Sequence, residues 1–518
     1  MPVVGRYQET PPERRRTAGR NLTIFKSLIL AGLLAITFYG MLDRGLSGTE
    51  RWLPIAAAIL GVVFVTLFIV DYFADMPRIA WVLVGLLSVL VAVKGLSLTW
   101  SISRVESVQE LVRSSMYLAT FALAAASLSS RRLVRPFIDG LNLIAGAVAG
   151  YGILQKVRPV EYPSSSPDRV SVDSTLGYAN TVAVVAGMGI ALGLARMTQL
   201  KNPVVRGIYA ALILVFGTVL YLTFSRGGLL ALGLGLVVLF ALGGSRLQML
   251  VNLLLVSGPL AWLLVTTRTI VTLFEYEPSE SLRTAEGTTF AIYLAIAAML
   301  AFLSQAIYAA LIGRYELGPA AHRLLGVSAV IAILAGAGVS GYMLFGGQQG
   351  SNESSGVFPN LQERAEDAGG WVPYFASDLR LRYWKVAWEA WRERPLTGTG
   401  AGTFEYVWQE NRPGFGSAEH VYSVYLEQGI ETGVVAFLAF LGFAVLLIGY
   451  AVRAAWRAKP GDEAGERKVL LAGLTAAVVV YLTSSALEWH WYIPPSTIFF
   501  FALAGVAVKY ASGTARDT

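Results

Sequence analysis

The sequence predicts an all-α polytopic membrane protein, and three observations predict it: the composition, the recurrence of apolar runs of bilayer length, and the places where cations fall between those runs. Of 518 residues, 55% are apolar and only 14% charged. The mean hydropathy of +0.57 exceeds what a domain with a water-facing surface carries. The formal charge is +7. Its Arg and Lys gather in short connections between apolar runs, so the basicity reads as topology and not as nucleic-acid binding. The absence of cysteine excludes disulfides, thiolate metal sites and cysteine nucleophiles.

A span needs about 20 predominantly apolar residues, and the chain offers about fourteen. Arg14-Arg15-Arg16 before Leu22 mimics a signal peptide, but the run at 22–41 is of full bilayer length and reads as an uncleaved first span. Runs at 52–73 and 79–98 follow, then a short one at 112–128 after the amphipathic stretch Ser101–Arg113. Runs at 134–155, 178–195 and 206–224 come next, and Ser225-Arg226-Gly227-Gly228 divides the last of these from 227–243. Runs at 248–267, 288–311 and 324–345 precede a long polar loop, and runs at 432–452, 469–487 and 494–511 complete the set.

With the Arg-rich tail inside, Arg131, Arg132, Arg135, Arg196, Lys201, Arg206, Arg453, Arg457, Lys459, Arg467 and Lys468 also fall inside. The even count returns the carboxyl terminus to the cytoplasm. The outward side then receives 156–177, 268–287, the Ser225-Arg226 turn, the long loop and Glu488–Ile493. Lys94 lies near the outer end of its span, where snorkelling would suffice. The expected organisation is a cytoplasmic tail (1–21), a membrane bundle (22–345), an extracytoplasmic catalytic loop between spans 11 and 12 (346–431), and carboxyl-terminal transmembrane helices with a short cytoplasmic tail (432–518).

Four features carry possible chemistry. Arg226 interrupts two apolar runs on the side that the positive-inside bias disfavours, and Ser225 is placed to cap the following helix, whose free N–H groups and dipole would join the guanidinium in suiting a phosphate. In the loop, Ser377–Arg394 reads as an amphipathic helix stopped by Pro395, with Arg380, Trp384, Trp388 and Trp391 on one face and Arg382, Lys385, Glu389, Arg392 and Glu393 on the other. Such a helix also suits a membrane surface with a Trp belt. The glycine run Pro395–Phe404 has no preceding strand, so a turn bringing backbone close to a neighbour or ligand explains it as well as a nucleotide loop does. Finally, His420 lies beside Glu419 and Glu427 at the water boundary, where general-base duty is chemically open to it.

In this order these pieces resemble the O-antigen ligase and O-antigen polymerase superfamily of bacterial membrane glycosyltransferases. The resemblance runs from about Arg169 onward. It rests on Leu176-Gly177-Tyr178-Ala179-Asn180, the Ser-Arg-Gly segment within Leu222–Leu232, Arg380 four residues before Trp384, Pro395–Gly400, Tyr425-Leu426-Glu427 through Gly433, and Leu487-Glu488-Trp489-His490-Trp491 with Pro494. It implies inverting, metal-independent transfer of a glycan from an undecaprenyl-diphosphate carrier to a glycan or glycolipid hydroxyl on the outer face of the inner membrane, with no cofactor and no nucleic-acid partner. It also implies that Arg226 and Arg380 hold the diphosphate and that a loop histidine assists the acceptor, with Ser225, Trp384, Glu419 and His490 as possible support. Registered on Tyr425-Leu426-Glu427, the family histidine falls on Tyr422, with His420 two residues earlier. Both remain candidates for the base. Ligase and polymerase share a donor and differ in acceptor. A lipid-linked glycan transporter or flippase is the alternative from another class, one expected to carry ionisable residues deep in its spans.

Overall fold

The computed structural model describes residues 12–312, 378–412, 417–458 and 462–514. The expected span at 324–345 and most of the loop before Asp378 lie outside the described residues. Ten helices precede that gap: α1 (Pro12–Leu42), α2 (Thr49–Leu67), α3 (Arg78–Ser97), α4 (Arg104–Ser127), α5 (Val134–Val157), α6 (Ala179–Gln199), α7 (Pro203–Leu222), α8 (Arg226–Leu242), α9 (Arg246–Thr266) and α10 (Glu280–Ile312). After it come α11 (Asp378–Glu393), α12 (Phe404–Asn411), α13 (Val424–Arg457), α14 (Asp462–Ser484) and α15 (Pro494–Ser512), and the described residues include no strand. Among the described residues, eleven helices are long and apolar enough to cross a membrane, and α8 is a shorter apolar helix.

Local signals set the ends of several helices. Asn202 caps α7 by accepting from the Val204 N–H at 2.9 Å, ahead of Pro203 at the first helical position. Ser423 caps α13 through the Leu426 N–H. Pro494 and Pro495 open α15, and Gly513 closes it in the left-handed conformation that glycine adopts without strain.

The bundle is layered by burial. Helices α6, α14 and α15 are almost wholly enclosed, whereas α2, α9 and α10 expose most of their surface. The interior helices approach closely because glycines remove side chains at their crossings. A Cβ at Gly189 of α6 would stand 2.7 Å from the Phe216 ring of α7, and one at Gly505 of α15 would stand 2.6 Å from the Phe121 carbonyl of α4.

Three expectations change. The span predicted at 112–128 is the second half of α4, a single helix that runs on from the amphipathic stretch before it, whose polar face buries Ser107, Glu110 and Arg113. Lys94 does not snorkel: it is fully buried, its Nζ lies 3.1 Å from Glu110 Oε2 and 5.0 Å from the centroid of the Trp491 ring. Arg113 pairs with the other oxygen of Glu110 and stacks on Trp52 and Tyr492 at 4.9 and 5.0 Å. A buried ammonium is tolerated here because a carboxylate and an aromatic face replace its water. The third is a refinement at the predicted boundary of 432: a helix already runs from Val424, but the non-helical Gly433 (φ 78°) divides it, so its long apolar part begins beside that boundary. The break lets the Pro395–Thr397 chain lie against it, and a Cβ at Gly433 would strike the Leu396 carbonyl.

Candidate functional site

The site forms at one end of the bundle, where the first turns of α6, α8 and α11 meet the α12–α13 and α14–α15 connections. Its centre is Glu488, a buried carboxylate. One oxygen pairs with Arg380 from α11, and the other accepts the hydroxyl of Tyr178, the residue before α6. Asn180 donates to that hydroxyl at 2.9 Å, and the Tyr178 ring lies 4.5 Å from Trp489. A Cβ added at Gly227 would stand 3.9 Å from Glu488 Oε1. The first turn of α8, which carries Arg226, therefore lies beside the Glu488 carboxylate. Burial raises the Glu488 pKa above 4.5, and the Arg380 guanidinium pulls it back.

The Arg226 turn is built as its sequence suggests. Phe224 takes a positive φ of 52° to reverse the chain between α7 and α8. Ser225 Oγ then accepts from the Gly228 N–H at 3.1 Å, and the helix begins at Arg226.

Arg380 is positioned by the packing of α11 on α12 and α13. The buried face of α11 is Tyr383, Val386 and Ala387, packed on Phe404, Val407, Trp408, Val421 and Ile430. This corrects the predicted faces. Trp384 and Trp391 pack at the edge of this cluster, but Trp388 is 52% exposed, because the helix is seated on protein through Tyr383 and the small Ala387. Trp391 fits over Gly429 of α13, 2.8 Å from where a Cβ would be. The Arg380 guanidinium lies 5.5 Å from the centroid of the Tyr422 ring, which in turn stacks on Tyr383 at 5.5 Å.

The two base candidates sit differently. Tyr422 has a positive φ of 58° and serves as the aromatic floor under Arg380. Burial first, and then the Glu488 charge, raise its pKa, so its phenol stays protonated at neutral pH. The His420 ring stacks on Tyr492 at 3.8 Å and on Trp489 at 4.9 Å, with Nδ1 3.4 Å from Glu427 Oε1. Burial, reinforced by Arg113, pushes its pKa down to about 3, with the exposed Glu419 acting weakly in the other direction. At neutral pH the imidazole is unprotonated and able to accept a proton. His490 is fully buried behind Glu488, with Nδ1 2.9 Å from Thr181 Oγ1 and Nε2 2.7 Å from Ser484 Oγ. Both ring nitrogens are engaged, which ties the α14–α15 turn that carries Glu488 to α6 and α14.

Burial also lowers the His490 pKa to about 3. An ordinary imidazole titrates near 6.5, so between about 3 and 6.5 the unfolded chain binds protons that the folded one does not. The stabilisation is fully present above about pH 6.5 and is lost as the pH falls through this window. The unfolding temperature of the detergent-solubilised protein is expected to drop between about pH 7 and pH 5, and His490→Gln to flatten that drop. An unchanged slope in the variant would show that His490 is not buried as the neutral form.

The glycine run is a clasp. Gly402 and Phe404 donate their N–H groups to the Glu431 carboxylate at 2.8 and 3.3 Å, and Gly400 donates to the Glu431 carbonyl at 2.8 Å. Ala401 N–H and O meet Ser97 and Ser107 at 3.3 and 2.7 Å. Gly400 (φ 113°) is required because any Cβ would strike Ser101. The N–H groups that a nucleotide phosphate would need are held by the chain's own carboxylate.

Glu488, Tyr178 and Asn180 lie in segments that carry the family resemblance but were not among the expected site residues. The signal that marks them is position: each opens or precedes a span at the end of the bundle that holds Arg226.

Fold and site together define an all-α, multi-pass membrane protein with an arginine-bearing polar site at one end of its bundle. Residues 287–441 match the family profile described as O-antigen ligase, which supports a likeness of this segment to the O-antigen ligase superfamily. The matched segment includes Arg380, His420 and Tyr422. No curated protein matches the chain.

Proposed function

We propose that the protein transfers a glycan from an undecaprenyl-diphosphate carrier to an acceptor hydroxyl on the outer face of the bacterial inner membrane. The observation that carries this reading is the pairing of Arg380 with Glu488 beside the first turn of α8, which carries Arg226, with the neutral imidazole of His420 stacked on the neighbouring Trp489. Guanidinium forks and a helix N-terminus match diphosphate oxygens and offset the charge that develops as the carrier leaves. In the reaction, the acceptor oxygen bonds to the anomeric carbon from the side opposite the phosphate. The carbon–oxygen bond to the diphosphate breaks with its electron pair, and the acceptor proton passes to His420. Attack from that side inverts the anomeric centre, and the step calls on no metal. The positive-inside distribution supports cytoplasmic termini with the site on the opposite face.

Transport of a lipid-linked glycan is the second reading, favoured by the buried Lys94–Glu110–Arg113 cluster. Glu110 binds both cations and accepts from Trp491 Nε1 at 3.2 Å, so it fastens helices together. Incubating the purified protein with a defined undecaprenyl-diphosphate glycan and candidate acceptors separates the readings. A new glycosidic product is expected, lost in His420→Ala and retained in Tyr422→Phe. Flipping of the carrier without product would overturn transfer, and an active His420→Ala protein would remove His420 as the base.

A further inference from the structure

A second polar site lies beside the first. The α5–α6 and α9–α10 connections enclose a cavity of about 230 Å³ lined by Lys156, Arg169, Arg283, Tyr276, Glu275 and Glu277. Its walls are built structure. Gln155 and the 164–174 segment are tied together through Asp173, which accepts from Gln155 Nε2 at 2.8 Å and from the Ser165 N–H at 2.9 Å. Gly287 of α10 packs so tightly on the end of α5 that a Cβ there would stand 2.5 Å from the Val157 carbonyl. The walls adjoin the Arg226 turn: Val172 N–H donates to the Leu222 carbonyl at 3.0 Å, and the Phe274 ring lies 6.2 Å from Phe224.

The charge of this cavity is unbalanced at its cations. Buried Lys156 spends two of its three donors on the Val170 and Leu273 carbonyls. Arg169 and Arg283 both lie on the Tyr276 ring, at 5.1 and 5.5 Å. Arg283 Nε is buried without a hydrogen-bond partner. None of the three forms an ion pair within the described residues. Of the two lining carboxylates, Glu277 accepts from the Ser279 N–H at 3.2 Å and Glu275 is exposed. Lys156 is buried and Arg283 half-buried, with Asp168 and Asp173 acting on Lys156 only from a distance, so these two cations lack a carboxylate in contact, and the exposed Arg169 is open to a ligand from the mouth of the cavity. The volume falls below the about 300–1,000 Å³ of pockets for drug-sized ligands, which suits a single sugar unit.

We propose that this cavity is a subsite for an anionic sugar unit of the glycan, carrying a carboxylate or phosphate that Arg169, Arg283 and Lys156 bind while Tyr276 stacks on the sugar. That the anion belongs to a glycan rests on the glycosyltransferase reading above. The test is binding of glucuronate, glucose 1-phosphate, glucose and inorganic phosphate to the full chain in phosphatidylcholine nanodiscs, read by saturation-transfer NMR. Both anionic sugars are expected to bind and glucose not. Arg169→Gln and Arg283→Gln are each expected to weaken binding about tenfold or more, and Arg283→Lys is expected to retain most of it, which reports an intact fold. Arg380→Gln is expected to leave this binding unchanged, so failure of the transfer reading and failure of the subsite are separate results. Equal binding of glucose, or anion binding indifferent to Arg169→Gln and Arg283→Gln, overturns the proposal. So does binding of inorganic phosphate alone, or loss of sugar binding when phosphatidylglycerol replaces part of the lipid, since that would assign the cavity to a bare ion or a lipid headgroup.

Discussion

Arg380→Gln is expected to lower kcat/KM for glycan transfer by about 100- to 1,000-fold, the loss typical of removing one donor that meets developing charge. The fall should appear equally in kcat, because the interaction strengthens as the carrier leaves. Arg380→Lys should recover little, since an ammonium cannot present two parallel N–H groups to a phosphate. The fold should survive. Glu488 is buried with its pKa already raised, so on losing its guanidinium it takes up a proton and does not persist as an unpaired charge. A normal melting curve together with lost turnover is therefore the expected result, and near-wild-type turnover by Arg380→Lys would refute a bidentate role.

Glu110→Ala is expected to act on stability. Glu110 holds Lys94 with one oxygen and Arg113 with the other, and both cations are enclosed. Removing the carboxylate leaves two positive charges in the interior, and breaking even one buried pair costs about 3–5 kcal/mol. The variant should lose yield and unfold at a markedly lower temperature in detergent. It should also loosen His420, whose stacking partner Tyr492 rests on Arg113. Unfolding indistinguishable from wild type would mean that water reaches the cluster.

The residues that the sequence made legible are those whose signal is local. The cap at Ser225 and the stop at Pro395 depend on a few neighbours in the chain, and the structure places them as expected, as it does the all-α, multi-pass character of the described residues. What was not legible depends on distant partners. Lys94 reads as a snorkelling lysine until α4 and the α14–α15 turn bring Glu110 and Trp491 to it. The tryptophan face of α11 does not say which residues are buried until α12 and α13 enclose Tyr383 and Ala387 and leave Trp388 exposed. Glu488 is one carboxylate among many in the chain, and only the meeting of Tyr178, Arg380 and Gly227 around it marks it out. Spacing alone left His420 and Tyr422 both open as bases; burial makes one a neutral imidazole and holds the other as a protonated phenol, and the His420→Ala and Tyr422→Phe variants decide between them.

The clasp at Glu431 bears on how this protein can be re-engineered. Its glycine strap is closed by a carboxylate from α13 and by Ser97 and Ser107 from the α3–α4 hairpin. The segment bearing Arg380 is thus not a transplantable cassette. A chimera that imports this segment from a relative must bring its own versions of positions 97, 107 and 431, or the graft arrives with open N–H groups and no anion to close them.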